Sequence, residues 1–229
     1  MKEVVIISLG GSLIIPDVIN VKFLREFKKV ILKNSRRYRF ILVCGGGKTA
    51  RNYINGLEEQ KMFRKRMFQS LLGIEATKLN AKFLIYFFGR RFNKTIPKDM
   101  KDIEEHLKKY NVVICGALRY SKKQTSDSTA AKLAKHFNSV FINMTNVPGL
   151  YDKSPRKYRN AKFIPYINYK DFLKMAKKIE FRPGQHFVID QTAAKIIKKY
   201  KIRTFVIDGD MKNFDNLLNE KHFVGTVIG

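Results

Sequence analysis

Val4-Val5-Ile6-Ile7-Ser8-Leu9-Gly10-Gly11-Ser12 opens the chain with a short apolar run that stops at two glycines. A β-branched run of this length, closed by glycine, predicts a buried first strand running into a turn. The arrangement recurs at Phe40 to Val43, a second strand that enters Gly45-Gly46-Gly47 and then a helix from Lys48. Between the two, Phe23, Leu24, Phe27, Val30 and Ile31 stand at helical spacing and predict a helix from about Val21 to Lys33. Strand, helix, strand, helix in this rhythm predicts an α/β fold: a three-layer sandwich around a largely parallel central sheet.

The alternation continues. A long segment from about Phe63 to Phe88 is apolar on more than one side, as in a helix central to a core or part of a subunit contact. Asn111 to Cys115 reads as a strand, Ser126 as the cap of a helix to His136, and Ser139 to Met144 as a strand before a loop with Pro148, Gly149 and Pro155. Helices follow near Tyr169 to Lys177, Asp190 to Tyr200 and Lys212 to Leu218, with strands at Thr204 to Ile207 and Gly225 to Ile228. No repeat, linker or low-complexity tail interrupts the pattern. The expectation is one domain over 1–229, with halves meeting near residues 111 and 112 on a continuous sheet.

Composition narrows the class. The chain has 229 residues, 45% hydrophobic and 28% charged, which suits a globular protein with one substantial core. No apolar run approaches the ~20 residues of a membrane span. The apolar N-terminus is expected to be a buried strand rather than a signal peptide, because Glu3 weakens its basic flank, Gly10-Gly11 interrupts it, and no small-residue cleavage site follows Pro16. Cys44 and Cys115 make no disulfide framework, and four scattered histidines supply no zinc site, so no protein-bound metal centre is expected. A reducing cytoplasm fits this usage. The formal charge of +27, from 46 Lys and Arg against 19 Asp and Glu, attracts polyanions. The basic residues are nonetheless spread along the chain, the cluster Lys61 to Arg66 reads as a solvated face, and no nucleic-acid motif accompanies it. Nucleic acid is therefore not expected as the principal ligand.

Three loops follow strands and lead into helices: Gly10-Gly11-Ser12, Gly45-Gly46-Gly47-Lys48-Thr49 and Gln124-Thr125-Ser126-Asp127-Ser128. In open parallel sheets, ligands bind where such loops present free N–H groups, and glycine lets phosphate oxygens approach the backbone. Three loops of this kind predict several phosphates held together. The second is not a Walker loop, since Leu42 stands where that pattern needs glycine, and a dinucleotide fingerprint is absent. Arg51, one turn past the glycines, reads as a candidate functional residue rather than one more solvated arginine. Asp127 reads as electrostatic support for a helix N-terminus and Asp190 as a helix cap.

The order of the motifs is specific. Ile7-Ser8-Leu9-Gly10-Gly11-Ser12, Gly45-Gly46-Gly47-Lys48-Thr49-Ala50-Arg51, Leu72-Gly73-Ile74 with Asn80-Ala81, Thr125 to Ala131, Thr145-Asn146-Val147-Pro148-Gly149-Leu150-Tyr151 and Val188 to Lys195 follow one another as in the amino-acid-kinase superfamily. The whole chain resembles an archaeal-type uridylate kinase. That resemblance implies a phosphotransferase for ATP and UMP, acting with Mg²⁺ in pyrimidine nucleotide synthesis, in a homo-oligomer that is commonly a hexamer. It implies that the N-terminal half holds the acceptor and the C-terminal half ATP. Gly10, Gly11 and Ser12 would meet the transferring phosphates on the ATP side. Gly46, Gly47, Arg51 and Thr125 would hold the UMP phosphate, while Thr145, Asn146, Tyr151 and Pro155 would border the adenine and ribose of ATP. Asp190 matches a carboxylate that orients basic groups around the phosphoryl group.

Four departures from the pattern stand out. Many relatives carry a lysine on strand one where this chain has Ser8, so another cation must serve; Lys48 is the first candidate and Lys153 the second. Ser70 aligns with an aspartate that binds the ribose of UMP, and a neutral hydroxyl binds it less tightly. The GGTxPG stretch reads Cys115-Gly116-Ala117-Leu118-Arg119-Tyr120-Ser121, and Pro148 replaces the aspartate of TNVDG. Two other readings compete. One is a kinase of the same fold with another acceptor, such as isopentenyl phosphate, although that branch carries a histidine beside the second glycine loop. The other is a non-catalytic protein that binds nucleotides or RNA. Aspartate and acetylglutamate kinases fit poorly for want of a regulatory domain.

Overall fold

A computed structural model describes residues 2–118, 125–155, 158–178 and 188–229. Strand β1 (Glu3–Leu9) lies inside a seven-stranded sheet, with β2 (Tyr38–Cys44) on one side and the central strand β4 (Val140–Met144) on the other, both parallel to it. Beyond β2 lies β3 (Val112–Cys115); beyond β4 lie β8 (Thr204–Ile207), β9 (Thr226–Ile228) and β7 (Tyr166–Ile167). Only the β8–β9 pairing is antiparallel, so the sheet is largely parallel, as the alternation predicts. A two-stranded ribbon of β5 (Leu150–Tyr151) and β6 (Phe163–Ile164) stands apart from it.

Both faces of β1 are apolar because helices cover both faces, which a parallel sheet requires. Val5, Ile7 and Leu9 point into a core closed by α1 (Gly11–Ile14), α2 (Val21–Asn34), α4 (Lys65–Phe88) and α9 (Met211–Leu218). Ile6 points the other way, under α5 (Met100–Lys109), α6 (Ser126–His136), α7 (Tyr169–Lys177) and α8 (Gln191–Tyr200). Phe27 anchors the first core, its ring 5.8 Å from both Phe23 and Phe214. Truncating such a ring to alanine costs about 3–5 kcal/mol. The sheet edge at β3 is stitched by fully buried Asn93, which donates to Ile114 O at 2.9 Å and accepts from Ile114 N at 2.7 Å. That occupies backbone groups that would otherwise template aggregation.

Some boundaries differ from the sequence reading. Helix α6 is capped by Thr125 rather than Ser126: its side chain accepts from Ser128 N, while Ser128 Oγ accepts from Thr125 N. The reciprocal pair makes a capping box one residue earlier than the serine suggests. Helix α5 was not expected, and α1 replaces part of what reads as a plain turn. The part of the 115–121 stretch from Arg119 onward, and Gln124, lie outside the described residues. Among the described residues, no helix is long and apolar enough to cross a membrane. Both cysteines are buried and free; burial pushes the Cys115 thiol up to about 12 and Cys44 well above its usual range, so both are inert.

Candidate active site

At the carboxyl ends of β1, β2 and β4 the chain leaves the sheet in loops that meet. Gly10 N donates to Met144 O at 2.8 Å and Gly45 N to Leu9 O at 2.9 Å, so both glycine loops start where sheet pairing ends. The two then press backbone against backbone. A Cβ on Gly11 would lie 2.0 Å from Gly47 N. Gly47 has φ +61, in the left-handed region, and its Cβ would lie 2.4 Å from Gly11 O. The sequence suggests glycine here for access to phosphate; in the fold each loop also needs the other to lack a side chain. Asn80 of α4 fixes the second loop from behind, donating to Gly45 O at 2.7 Å and Gly46 O at 3.3 Å.

These loops wall a cavity of about 540 Å³, a size that takes small-molecule ligands. Gly10, Gly11, Ser12, Gly46, Gly47 and Arg51 all line it, and so do Ser70, Thr125 and Asp190. At the far end stand Thr145, Asn146, Tyr151 and Pro155, with Lys153 between them. The far wall is held by Thr226, whose hydroxyl accepts from Leu150 N at 2.7 Å and donates to Ile164 O at 2.6 Å. Tyr151 packs edge-on against Phe163, with centroids 5.4 Å apart. Residues expected to serve two different ligands therefore share one space.

Two residues considered for the catalytic site, Lys48 and the Ser8 that stands in the strand-one lysine position, are placed elsewhere. Lys48 does not line the cavity; its Nζ lies 3.7 Å from Asp17 Oδ1 on the surface, because helix α3 (Gly47–Gly56) turns that position outward. The second candidate, Lys153, does line it. Ser8 is buried beneath the floor, where its hydroxyl donates to Asp127 Oδ1 at 2.8 Å. Thr125 lines the cavity, but its polar groups are engaged: the hydroxyl donates to Asp190 and accepts from Ser128 N. Ser70 Oγ donates to Arg66 O at 2.8 Å and keeps lone pairs for a ligand.

Asp127 is the residue the sequence reading undervalued. It lines the cavity, and its Oδ1 accepts from both Ser8 Oγ and Asn143 Nδ2, the latter at 3.1 Å. Ser8 and Asn143 are register partners on adjacent parallel strands, so the sheet itself delivers two neutral donors to one carboxylate oxygen. A polar residue inside Val140-Phe141-Ile142-Asn143-Met144 was the available signal, since buried polar groups require partners. Burial, then the nearby Asp190 charge, push the Asp127 carboxyl up to about 7, against the pull of Ser8 and Asn143. Asp190 is also raised by burial, opposed by Thr125 and by the Ala193 and Thr192 amides that it caps. Arg51, half-buried, has no hydrogen bond or ion pair among the described residues, and desolvation lowers its pKa despite Asp17. A guanidinium left without a partner at a cavity wall is suited to an incoming anion.

Comparisons with known proteins identify the family and the fold. Residues 3–208 match the model of the amino acid kinase family. The chain is 33% identical over 227 residues to the uridylate kinase of Methanococcus aeolicus, with 98% of each chain covered. It is 36% identical over 225 residues to that of Archaeoglobus fulgidus, covering 98% of this chain and 99% of the other. The crystal structure of the Archaeoglobus fulgidus uridylate kinase superposes with a TM-score of 0.83 over 100% of both chains. A UMP kinase from Ureaplasma parvum, 20% identical with a TM-score of 0.78, shares the fold over 100% of this chain and 99% of its own. The chain belongs to the amino acid kinase family, alongside the archaeal uridylate kinases that it resembles over its full length.

Proposed function

We propose that the chain transfers the terminal phosphoryl group of ATP to UMP, giving ADP and UDP. The observation that carries this is the single cavity that joins the two glycine loops and Arg51 to the Thr145–Pro155 wall. A phosphate oxygen of UMP attacks the γ-phosphorus while the bond to the β,γ-bridging oxygen breaks. The nucleophile is already ionised, so no general base is needed, and positioning with charge stabilisation carries the reaction. Helix α3 has Gly46 as an N-cap without a side chain; Lys48 N donates to Ile15 O at 3.4 Å, leaving the Gly47 and Thr49 N–H groups for the UMP phosphate, which Arg51 grips as a fork. Gly10, Gly11 and Ser12 receive the transferring phosphates. Thr145, Asn146, Tyr151 and Pro155 hold the adenosine, and Ser70 meets the acceptor ribose. Lys153 takes the cationic role for which Lys48 is misplaced.

Mg²⁺ suits this wall as a partner of ATP rather than as a resident metal. Among the described residues no group of three ligating side chains exists, but an ion carried on phosphates needs only one or two carboxylates. Asp127 and Asp190 would provide them, and the bound ion would offset charge on the β- and γ-phosphates. Pyrimidine nucleotide synthesis in the cytoplasm is the setting this activity fits. A homo-oligomer is supported by α4, on which Phe68, Leu71, Leu79 and Tyr86 follow one exposed face.

ADP release with UMP, CMP, isopentenyl phosphate and aspartate as acceptors tests the assignment. UMP should give the highest kcat/KM; if it releases no more ADP than buffer alone, the proposal fails. No histidine lines the cavity among the described residues, which leaves isopentenyl phosphate without the ligand its branch uses.

A further inference from the structure

Bases outnumber acids over much of this molecule, but they differ in whether an acid meets them. On α2, α4 and α5 ion pairs form: Lys29 with Glu26, Lys78 with Glu75, Lys108 with Glu105, each at 2.6–2.7 Å. Helices α6, α8 and α7 differ. The first two lie side by side in the same direction, since Thr125 and Asp190 join their starts and Lys135 lies 5.1 Å from the Tyr200 ring at their ends. Helix α7 runs the opposite way: Tyr169 Oη, at its start, donates to Lys201 O at 2.9 Å, just past the end of α8. The inward sides of all three fill the second core, so their polar residues share one outer layer.

That layer is almost purely cationic. Helix α7 carries exposed Lys170, Lys174 and Lys177, while its cap Lys178 lines the active-site cavity. Helix α8 carries exposed Lys195, Lys198 and Lys199, with Lys201 following and Lys135 beside it on α6. Among the described residues none of these lysines forms an ion pair. The one acid on the outer side of the three helices, Asp171, accepts from Asn168 Nδ2 at 2.7 Å. Tyr200, 44% exposed, stands among them with Lys135 and Lys199 within 5.3 Å of its ring centroid.

We propose that the α6–α8–α7 face binds single-stranded nucleic acid as a second, non-catalytic ligand. A row of unpaired lysines suits a phosphate backbone, and an aromatic set among cations offers free bases a stacking surface. Protein partners are disfavoured, because interface cores are depleted of lysine and require apolar anchors that this face lacks. A membrane surface is disfavoured for the same want of inserting apolar side chains.

The test uses the full chain and labelled oligouridylate and oligothymidylate of about 20 nucleotides, titrated across salt concentrations. Replacing Lys174, Lys195, Lys198 and Lys199 together by glutamine should weaken binding about tenfold or more, and flatten the salt slope by about 0.7 for each phosphate no longer neutralised. Removing the same charge elsewhere, at Lys22, Lys94, Lys101 and Lys109, should weaken it less than about threefold. Tyr200→Ala should weaken it about fivefold or more with the salt slope unchanged. Preference for one oligomer over the other identifies RNA or DNA as the source, and both outcomes support the face. Equal losses from the two quadruple variants would mean diffuse attraction and overturn the proposal. So would absence of binding at about 0.1 M salt, equal retention of the chain on phosphatidylserine vesicles, or an effect of the face variant confined to kcat/KM for UMP. None of these outcomes depends on whether the kinase assay succeeds.

Discussion

The cavity has two kinds of helix start, and they behave as opposites. Helix α3 begins with glycine and no side-chain cap, beside an arginine that has no hydrogen-bond or ion-pair partner among the described residues. Helices α6 and α8 begin with Thr125 and Asp190, which satisfy their own amides and bond to each other. The first end has no side chain across it; the second is filled in advance by the Thr125 hydroxyl and the Asp190 carboxylate. On the proposed function, phosphates and a magnesium ion would need opposite electrostatics, and the same element, a helix N-terminus, can supply either one depending on what caps it.

The harshest way to break the contrast is Gly11→Ala. With a Cβ 2.0 Å from Gly47 N, the two glycine loops must separate. Turnover should vanish and stability should drop by about 3 kcal/mol, seen as a lower urea midpoint. Arg51→Ala attacks the open end alone: KM for UMP should rise about 100-fold, while KM for ATP moves less than about threefold. An equal rise in both would place Arg51 elsewhere. Lys153→Ala should lower kcat about tenfold, whereas Lys48→Ala, which removes only an exposed pair, should change it less than about twofold. The reverse ranking would restore Lys48 to the site.

The filled end is probed by pH. Asp127 titrates at about 7 when folded and near 3.8 when unfolded, so between those values the folded state keeps a proton that the unfolded chain has released. Stability of the free protein should therefore fall as pH rises through that window. Asp127→Asn should flatten this decline in urea melts without nucleotide or Mg²⁺. Some slope should persist, because Asp190 is raised as well. An unchanged slope would show that Asp127 ionises normally.

Local pattern carried most of the fold. Strands buried on both faces announce themselves as apolar runs, and long helices by periodic apolar residues. Helix α5 was missed because Ile103 and Leu107 are its only fully buried residues, too few to make a period visible among charged neighbours. Strands β5, β6 and β7 have two residues each and cannot show an alternation. At the site, glycines and Arg51 were legible because their spacing is local. The direction in which Lys48 points was not, since the turn into α3 decides it.

By itself the sequence determined the order of the longer strands and of the helices other than α1 and α5, the places where glycine must stand, and the reading of Asp190 as a cap. These depend on residues within a few positions of one another. Tertiary structure decided what Asp127 is for, because its partner Ser8 lies 119 residues away and meets it only through strand order. It also decided that Lys153 rather than Lys48 reaches the cavity, and that the exposed lysines of α6, α7 and α8 share one outer face. Charge and hydrogen bonding act through space, and only the packed sheet fixes which side chains are near.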